Sequence, residues 1–559
     1  MRNSLRQRTP RPPARTDTGN ADPAFFAAAA ATDLAGTAAA QSVTRKESFW
    51  QAWRWWLPVA AVALLLALFF VDPFAGDWDA LDYAILALRG EPSSMLFGRM
   101  LFIFQNHLAF RLAQRLFGLP PEQAYLLFKY LVVAQSPLAV AACWALVREL
   151  TGAVRTATVA ALLLMLSPFF IVYSGQAMTE IPSLLWLAVA LLLHVRGLRR
   201  NRAWLVLAGA ALLGLGTNVR ETAALYGLWL VAGPLVYGRL WNQRDLLLTA
   251  AACALFFVCA LGPFGYYYFA DVGGYRAAWH GWVESMRMEE AVHPVSFGNF
   301  VPLFFFFFVA APLALVALPV AAYREWRARG FTPLLTLAGI GFVANMSLIS
   351  HYSTVINGRY LLTGLMGVVP LAADFFMRYE TKRRGDNARR GFVVCVAGVV
   401  CMALVIGGIF YPFAWPTIES HGLTKEYRAR LALLPRDAVV IAGGQTVSVT
   451  FWRGVGAGEW EVIGTGGGWP YGRLAEVIDD YLRAGRRVFI DVDTRLWFTD
   501  SWRGKETHEL IAAAARFRFR RFSDTIYEIR PPTDAMANDT PDFQRLLERA
   551  PSNVQRLKM

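Results

Sequence analysis

Three aspartates fall within six residues in the stretch Ala75-Gly-Asp-Trp-Asp-Ala-Leu-Asp-Tyr83, namely Asp77, Asp79 and Asp82. On a helix beginning at Asp77 or Asp79, the side chains of Asp79, Asp82 and Tyr83 share one face. Carboxylates held this close can position and deprotonate an acceptor hydroxyl, or ligate a divalent cation. They can also serve as the cap and first-turn acids of that helix, although one aspartate is enough for a cap. A second acidic feature is Thr179-Glu180-Ile181-Pro182. It reads as an ordinary helix start, with a capping threonine and a first-turn Glu and Pro. It reads equally as a carboxylate at a bilayer boundary, where burial costs up to about 3 kcal/mol at the centre and calls for a partner.

Basic residues of a matching kind stand elsewhere. Arg220 and Glu221 are adjacent, so they do not share a helix face and are expected to find different partners. The alternative is an interfacial arginine whose stem lies on apolar surface beside a helix cap. In Asn357-Gly358-Arg359-Tyr360, a guanidinium at a helix start offers a fork to a phosphate. The helix N-terminus adds a favourable field, and Tyr360 adds an amphipathic hydroxyl. The bland reading of Arg359 is an interface anchor. His351 and Arg99 are weaker members of the set, since His351 can cap a helix end and Arg99 can pair with Glu91.

The elements that must position these residues are membrane spans. The 559 residues are 56% hydrophobic and only 17% charged, against roughly 25% charged in soluble proteins. Apolar runs predict about eleven spans near 53–71, 124–147, 157–173, 180–196, 203–217, 222–238, 246–269, 300–322, 332–349, 360–377 and 392–411. Every second connection is basic, from Arg45, Lys46 and Arg54 through Arg148 and Arg155, Arg196 to Arg202, and Arg239 and Arg244. Arg324, Arg327 and Arg329 continue the series, which ends in the run from Arg378 to Arg390. One orientation satisfies all of them, with a cytoplasmic N-terminus. The net charge of +14 is thereby explained without nucleic acid. The other connections are extracytoplasmic: a loop at 72–123 with helical stretches at Asp79–Leu88 and Met100–Phe117, turns near Gly175 and Asn218, a loop at 270–299, a turn near His351, and everything after Tyr411.

Residues 1–52 read as a disordered cytoplasmic tail and 53–411 as the transmembrane domain. Residues 412–533 read as an extracytoplasmic α/β domain, and 534–559 as a polar tail. In the α/β segment, strands are expected at Val439–Ile441, Trp460–Ile463, Arg487–Val492 and Thr525–Arg530, with helices at Arg473–Arg483 and Thr507–Ala515. All five cysteines lie in apolar runs, and no Cys/His metal spacing exists, which argues against a disulfide framework or a structural zinc site. There is no P-loop. The glycines at Gly454, Gly456 and Gly458 and at Gly464–Gly468 do not form a strand–GxGxxG–helix unit.

In their order along the chain, the acidic loop after span one, Thr179-Glu180-Ile181-Pro182, the Gly-Leu-Gly-Thr-Asn-Val-Arg220-Glu221-Thr stretch and Arg359-Tyr360-Leu-Leu resemble the GT-C membrane glycosyltransferases. The protein O-mannosyltransferase and aminoarabinose-transferase branch is the most similar. The likeness covers about 50–410, and Leu434-Pro-Arg-Asp-Ala-Val-Val440 is similar to the opening of that group's soluble domains. The resemblance implies transfer of a hexose or pentose from a polyprenyl-phosphate carrier to a lipid, glycan or protein acceptor, typically with inversion, at the extracytoplasmic face of the cell inner membrane. It implies Asp79 as the lead catalytic carboxylate with Asp77 as its rival, Arg359 on the carrier phosphate assisted by Arg220 or Arg99, and Glu180 orienting one of them. Many members carry Asp-Glu before the tyrosine, where this chain has Asp79-Ala80, so the register of the catalytic residue stays open. Metal dependence is open too, and Asp77 and Asp79 are the ligands if a divalent cation is used. The competing classes are a lipid or solute transporter, which calls for midplane charges and internal repeats, and a membrane scaffold.

Overall fold

The computed structural model describes residues 53–71, 78–92, 99–292, 300–350, 358–385, 387–441, 446–463, 473–491, 515–534, 537, 539–543 and 545. Asp77, His351, nearly all of the N-terminal tail, Gly464–Gly468 and the expected helix over 507–514 lie outside them. The described chain is mostly helical. A bilayer offers backbone groups no hydrogen-bonding partner, so apolar runs close their bonds internally as helices.

The chain opens with α1 (Trp53–Phe70), followed by the two helices of the first long connection, α2 (Trp78–Arg89) and α3 (Met100–Phe117). Next come α4 (Ala124–Thr151), α5 (Val154–Met165), α6 (Pro168–Ser174), α7 (Glu180–Arg200) and α8 (Ala203–Thr217). A 3₁₀ turn at Glu221–Leu228 leads into α9 (Trp229–Val236), then α10 (Gln243–Phe269) and α11 (Tyr275–Val292). The remaining membrane elements are α12 (Phe300–Ala310), α13 (Pro312–Arg329), α14 (Pro333–Gly339), a π turn at Ile340–Ala344 and α15 (Asn345–Ser350). A 3₁₀ turn at Gly358–Leu361 then precedes α16 (Leu362–Arg383) and α17 (Ala388–Leu431).

Among the described residues, five helices are long and apolar enough to cross a membrane, or seven if each bent pair is one span. Four shorter apolar helices, Arg54–Phe70, Ala203–Thr217, Glu221–Val236 and Pro333–Ser347, fall on the other expected spans. Two expected spans are not straight. The 157–173 run bends by 68° between α5 and α6, and the 300–322 run by 104° between α12 and α13. Both breaks sit on a residue before proline, Ser167 (φ −61°, ψ 129°) and Ala311 (φ −157°, ψ 71°). Proline disfavours helical geometry at its predecessor and supplies no N–H to the ladder. α17 does not stop at Tyr411 but runs on to Leu431.

Helices approach closely where side chains are absent. A Cβ on Gly209 would lie 2.7 Å from the His194 backbone nitrogen, and one on Gly214 would lie 2.5 Å from the Phe256 carbonyl oxygen. α8 is thereby packed tightly between α7 and α10, as small residues allow in membranes.

Beyond α17 the chain builds a five-stranded sheet from β1 (Val439–Ile441), β2 (Glu461–Ile463), β3 (Val488–Asp491), β4 (Arg518–Arg521) and β5 (Ile526–Arg530). The order is β2-β1-β3-β5-β4. β1 is parallel to β2 and β3, whereas β5 is antiparallel to β3 and β4. α18 (Thr446–Gly454) joins β1 to β2, and α19 (Arg473–Arg483) joins β2 to β3, burying Leu474 and Ile478 against Val439, Ile441, Val488 and Ile490. Neither β4 nor α18 is among the expected elements. β4 pairs Arg520 with Glu528 of β5, whose carboxylate is fully buried among Arg487, Arg520 and Arg530 at 2.6–2.9 Å. α18 packs against α2, with Phe451 and Trp452 edge-on to Tyr125.

The α8–α10 crossing is testable. Gly214→Ala drives a methyl into the Phe256 carbonyl and is expected to lower the thermal midpoint in detergent, with a cost of about 1–3 kcal/mol. Gly262→Ala, on the same α10 but with nothing within 4 Å of its Cβ, is expected to leave the midpoint unchanged or slightly raised. Equal behaviour of the two variants contradicts the close crossing.

Candidate active site

Five chain segments meet at one cluster of charge. α2 carries Asp79 in its first turn, and Arg99 immediately precedes α3. Glu180 opens α7, Arg220 and Glu221 stand between α8 and α9, and Arg359 and Tyr360 lie in the 3₁₀ turn before α16. Oδ2 of Asp79 lies 2.6 Å from Nη2 of Arg359, across 280 residues of sequence. Nε of Arg359 is 3.7 Å from Oε1 of Glu180, and Nη1 of Arg220 donates to that same oxygen at 2.7 Å. Nη1 of Arg220 also donates to the Thr179 hydroxyl at 2.9 Å. The guanidinium carbons of Arg220 and Arg359 lie 5.0 and 5.2 Å from the Tyr360 ring centroid. Arg99 approaches Glu221 at 4.0 Å and covers the Tyr83 ring at 5.4 Å.

Local structure holds these groups in place. Arg99 has a left-handed φ of 88°, rare for a residue with a Cβ, and its side chain is 4% exposed. The start of α3 is tied to the α8–α9 turn by Leu101 N–H donating to the Asn218 carbonyl at 2.9 Å. Asn218 in turn donates through Nδ2 to the Cys259 carbonyl of α10 at 3.0 Å. Tyr83 packs edge-on against Phe102, joining α2 to α3.

Three guanidinia thus face three carboxylates. Buried nitrogens Nε and Nη1 of Arg99, and Nε and Nη2 of Arg220, have no hydrogen-bond partner among the described residues, and neither has Oε2 of Glu180. Such donors are expensive to leave unused, and guanidinium donors of this kind suit an anion with several oxygens. Burial pushes the Asp79 carboxyl up, but Arg359, Arg99 and Arg220 outweigh it and hold Asp79 below its ordinary value. Asp79 is therefore an anion tied to Arg359. Asp82, one turn on, is pushed up to about 6 by burial and by the neighbouring charge of Asp79. Among the described residues no group of three His, Cys, Asp or Glu side chains is arranged to hold a metal ion.

Asp79, Arg99, Glu180, Arg220, Glu221, Arg359 and Tyr360 are all brought together, whereas Asp77 and His351 lie outside the described residues. Three local readings are corrected or decided. Arg99 is beside Glu221, and Glu91 is instead 3.8 Å from Arg89. Thr179 makes no side-chain cap on α7, because its hydroxyl accepts from Arg220. Glu180 contacts two arginines rather than one. Lys129, 1% exposed inside α4, is a buried cation the sequence reading passed over. A lone lysine in an apolar span was the available signal.

With this geometry in view, the chain can be compared with known proteins. A family model described as dolichyl-phosphate-mannose-protein mannosyltransferase matches residues 107–262. No curated protein matches the sequence. ArnT from Cupriavidus metallidurans, in a crystal structure with bound undecaprenyl phosphate, is 15% identical and superposes with a TM-score of 0.53, covering 85% of this chain and 97% of that one. The chain has the GT-C fold. The apo oligosaccharyltransferase of Archaeoglobus fulgidus is a second GT-C structure similar to it, with 14% identity, a TM-score of 0.50, and coverage of 87% of this chain and 76% of that one. The likeness is one of fold, and the long apolar helices fit a membrane protein.

Asp82 makes the acidic end of the site pH-sensitive. Its carboxyl, pushed up to about 6, stands above the ordinary aspartate value of 3.8. Between those values the folded state holds the extra proton, so this group's contribution to stability falls as pH rises. Asp82→Asn is expected to raise the thermal midpoint at pH 7.5 and to leave it nearly unchanged at pH 4. A melting series across that range checks the sign, and a loss of stability at pH 7.5 contradicts it.

Proposed function

We propose that the chain is a glycosyltransferase moving a sugar from a polyprenyl-phosphate carrier to a lipid, glycan or protein acceptor. Transfer would take place at the extracytoplasmic face of the inner membrane, with inversion at the anomeric carbon. The observation that carries this reading is the 2.6 Å pair of Asp79 with Arg359, set beside Arg220 and Arg99 with unused buried N–H groups. A further support is the undecaprenyl phosphate in the similar ArnT structure.

Asp79 neutralises Arg359. A carrier phosphate competes for that guanidinium, and its arrival frees a carboxylate beside the acceptor. The acceptor oxygen then forms its bond to the anomeric carbon, its proton passes to Asp79, and the bond from that carbon to the phosphate oxygen breaks. Negative charge grows on the departing phosphate, so arginines stabilise the transition state more than the ground state. An ordinary aspartate is a weak base, and it acts here in concert with an activated leaving group.

The reading carries a topology with it. Eleven spans, a cytoplasmic tail at 1–52 and a membrane domain at 53–411 would leave the sheet-bearing region at 412–533 and the tail at 534–559 on the outer side. Alternating basic connections support that orientation.

Asp79→Asn is expected to lower transfer from a polyprenyl-phosphate sugar in proteoliposomes by about 10²–10⁴-fold, with unchanged amounts of protein in the membrane. Full activity in Asp79→Asn rules out its role as base. Extraction of the purified protein is expected to yield a polyprenyl-phosphate sugar, whose glycan mass names the donor. Recovery of bulk phospholipid alone speaks for a transporter.

A further inference from the structure

Beneath the charged cluster lies a fully buried polar contact between the two arginine-bearing segments. Thr222 follows Glu221 directly, and Thr363 stands three residues after Tyr360; both are buried. Oγ1 of Thr363 lies 3.1 Å from Oγ1 of Thr222 and 3.2 Å from Oδ1 of Asn345. An amide oxygen only accepts, so Thr363 donates its single proton to Asn345 and takes the Thr222 proton in turn. Nδ2 of Asn345 donates to the Ile340 carbonyl at 3.3 Å, within the π turn. Tyr226, from the same 3₁₀ turn as Thr222, donates to the Thr363 carbonyl at 2.7 Å.

The backbones around this network cannot shift apart or together without cost. A Cβ on Gly341 would lie 2.5 Å from the Gly364 carbonyl oxygen, and one on Gly367 would collide with the Leu337 carbonyl oxygen. The π turn against α16 is therefore a close crossing, and the threonine pair joins the segment that follows Arg220–Glu221 to the one that follows Arg359–Tyr360. Two guanidinia repel each other, yet Arg220 and Arg359 share one Glu180 oxygen and one tyrosine ring. Glu180 and Tyr360 tie the two side chains together, and the hydroxyl network ties together the two backbones that carry them.

We propose that Thr222, Thr363 and Asn345 are positioning residues that set the separation of Arg220 and Arg359 to the width of a carrier phosphate. This rests on the functional reading above and adds the device that tunes its phosphate grip. None of the three touches the ligand; they act through the two arginines.

The test uses the full-length protein in detergent and a polyprenyl monophosphate as probe. Thr363→Val and Thr222→Val are each expected to weaken its binding about tenfold, the scale of one buried hydrogen bond left unmade. Each is expected to raise the KM for the donor while kcat at saturating donor is retained. Thr363→Ser, which keeps the hydroxyl, is expected to bind as the wild type does. Thr363→Val removes both hydroxyl contacts and Thr222→Val only the one they share, so the double variant is expected to be no weaker than Thr363→Val. Wild-type binding by both valine variants overturns the proposal, as do equal losses in Thr363→Ser and Thr363→Val, or single losses that multiply in the double variant. Arg359→Gln separates the two levels: if it binds the probe as tightly as the wild type, the functional reading itself fails, whatever the threonines do.

Discussion

Glu180 is completely buried, and its charge is tolerable there only because two guanidinia share it. Removing one partner of a buried ion pair typically costs about 3–5 kcal/mol, since the other charge is left stranded in a medium that cannot solvate it. That constraint organises what surrounds it. Arg220 must come from the α8–α9 turn and Arg359 from the turn before α16, so both connections are pinned to the start of α7. Asp79 completes the balance on Arg359, which pins α2 as well. The candidate site and the structural keystone are here the same set of atoms.

The same balance bears on how the cluster would take a carrier phosphate under the proposed function. Its three guanidinia and three carboxylates compensate one another, but among the described residues some N–H groups of Arg99 and Arg220 have no partner. A phosphate offers more acceptor oxygens than a carboxylate and can satisfy donors that Asp79 and Glu221 do not reach. Charge balance stabilises the cluster, and in the proposed function the phosphate would take up the remaining donors.

Around the site the helices obey packing demands that hydropathy does not express. The breaks at Ser167 and Ala311 lie inside continuous apolar runs, and only proline's missing N–H and its effect on the preceding residue turn each run into a bent pair. In the sheet region, β4 reads as a basic stretch, Arg518 to Arg521. It becomes a strand because Glu528 on β5 lies opposite Arg520, and because Phe519 is buried against Phe543. α18 is rich in valine and threonine, residues that favour strands, and is helical because Phe451 and Trp452 pack where a helix puts them, against Tyr125 and over towards α2.

The apolar runs and their alternating basic connections were legible in the sequence because membrane insertion is governed by local composition, and every described run is helical. The charged residues of the site were legible for a related reason. A carboxylate or guanidinium at the end of an apolar helix is costly enough to stand out, so Asp79, Glu180, Arg220, Glu221 and Arg359 could be named one by one. Which of them meet was decided by tertiary structure alone. Arg99 looked towards the nearby Glu91 but lies beside Glu221, and Thr179 looked like a cap but accepts from Arg220. Partners 41 to 280 residues apart leave no trace in local spacing. The threonine–asparagine network beneath them is less visible still, because a hydroxyl in an apolar helix carries no charge to announce it, and only the crossing of two backbones brings Thr222 to Thr363.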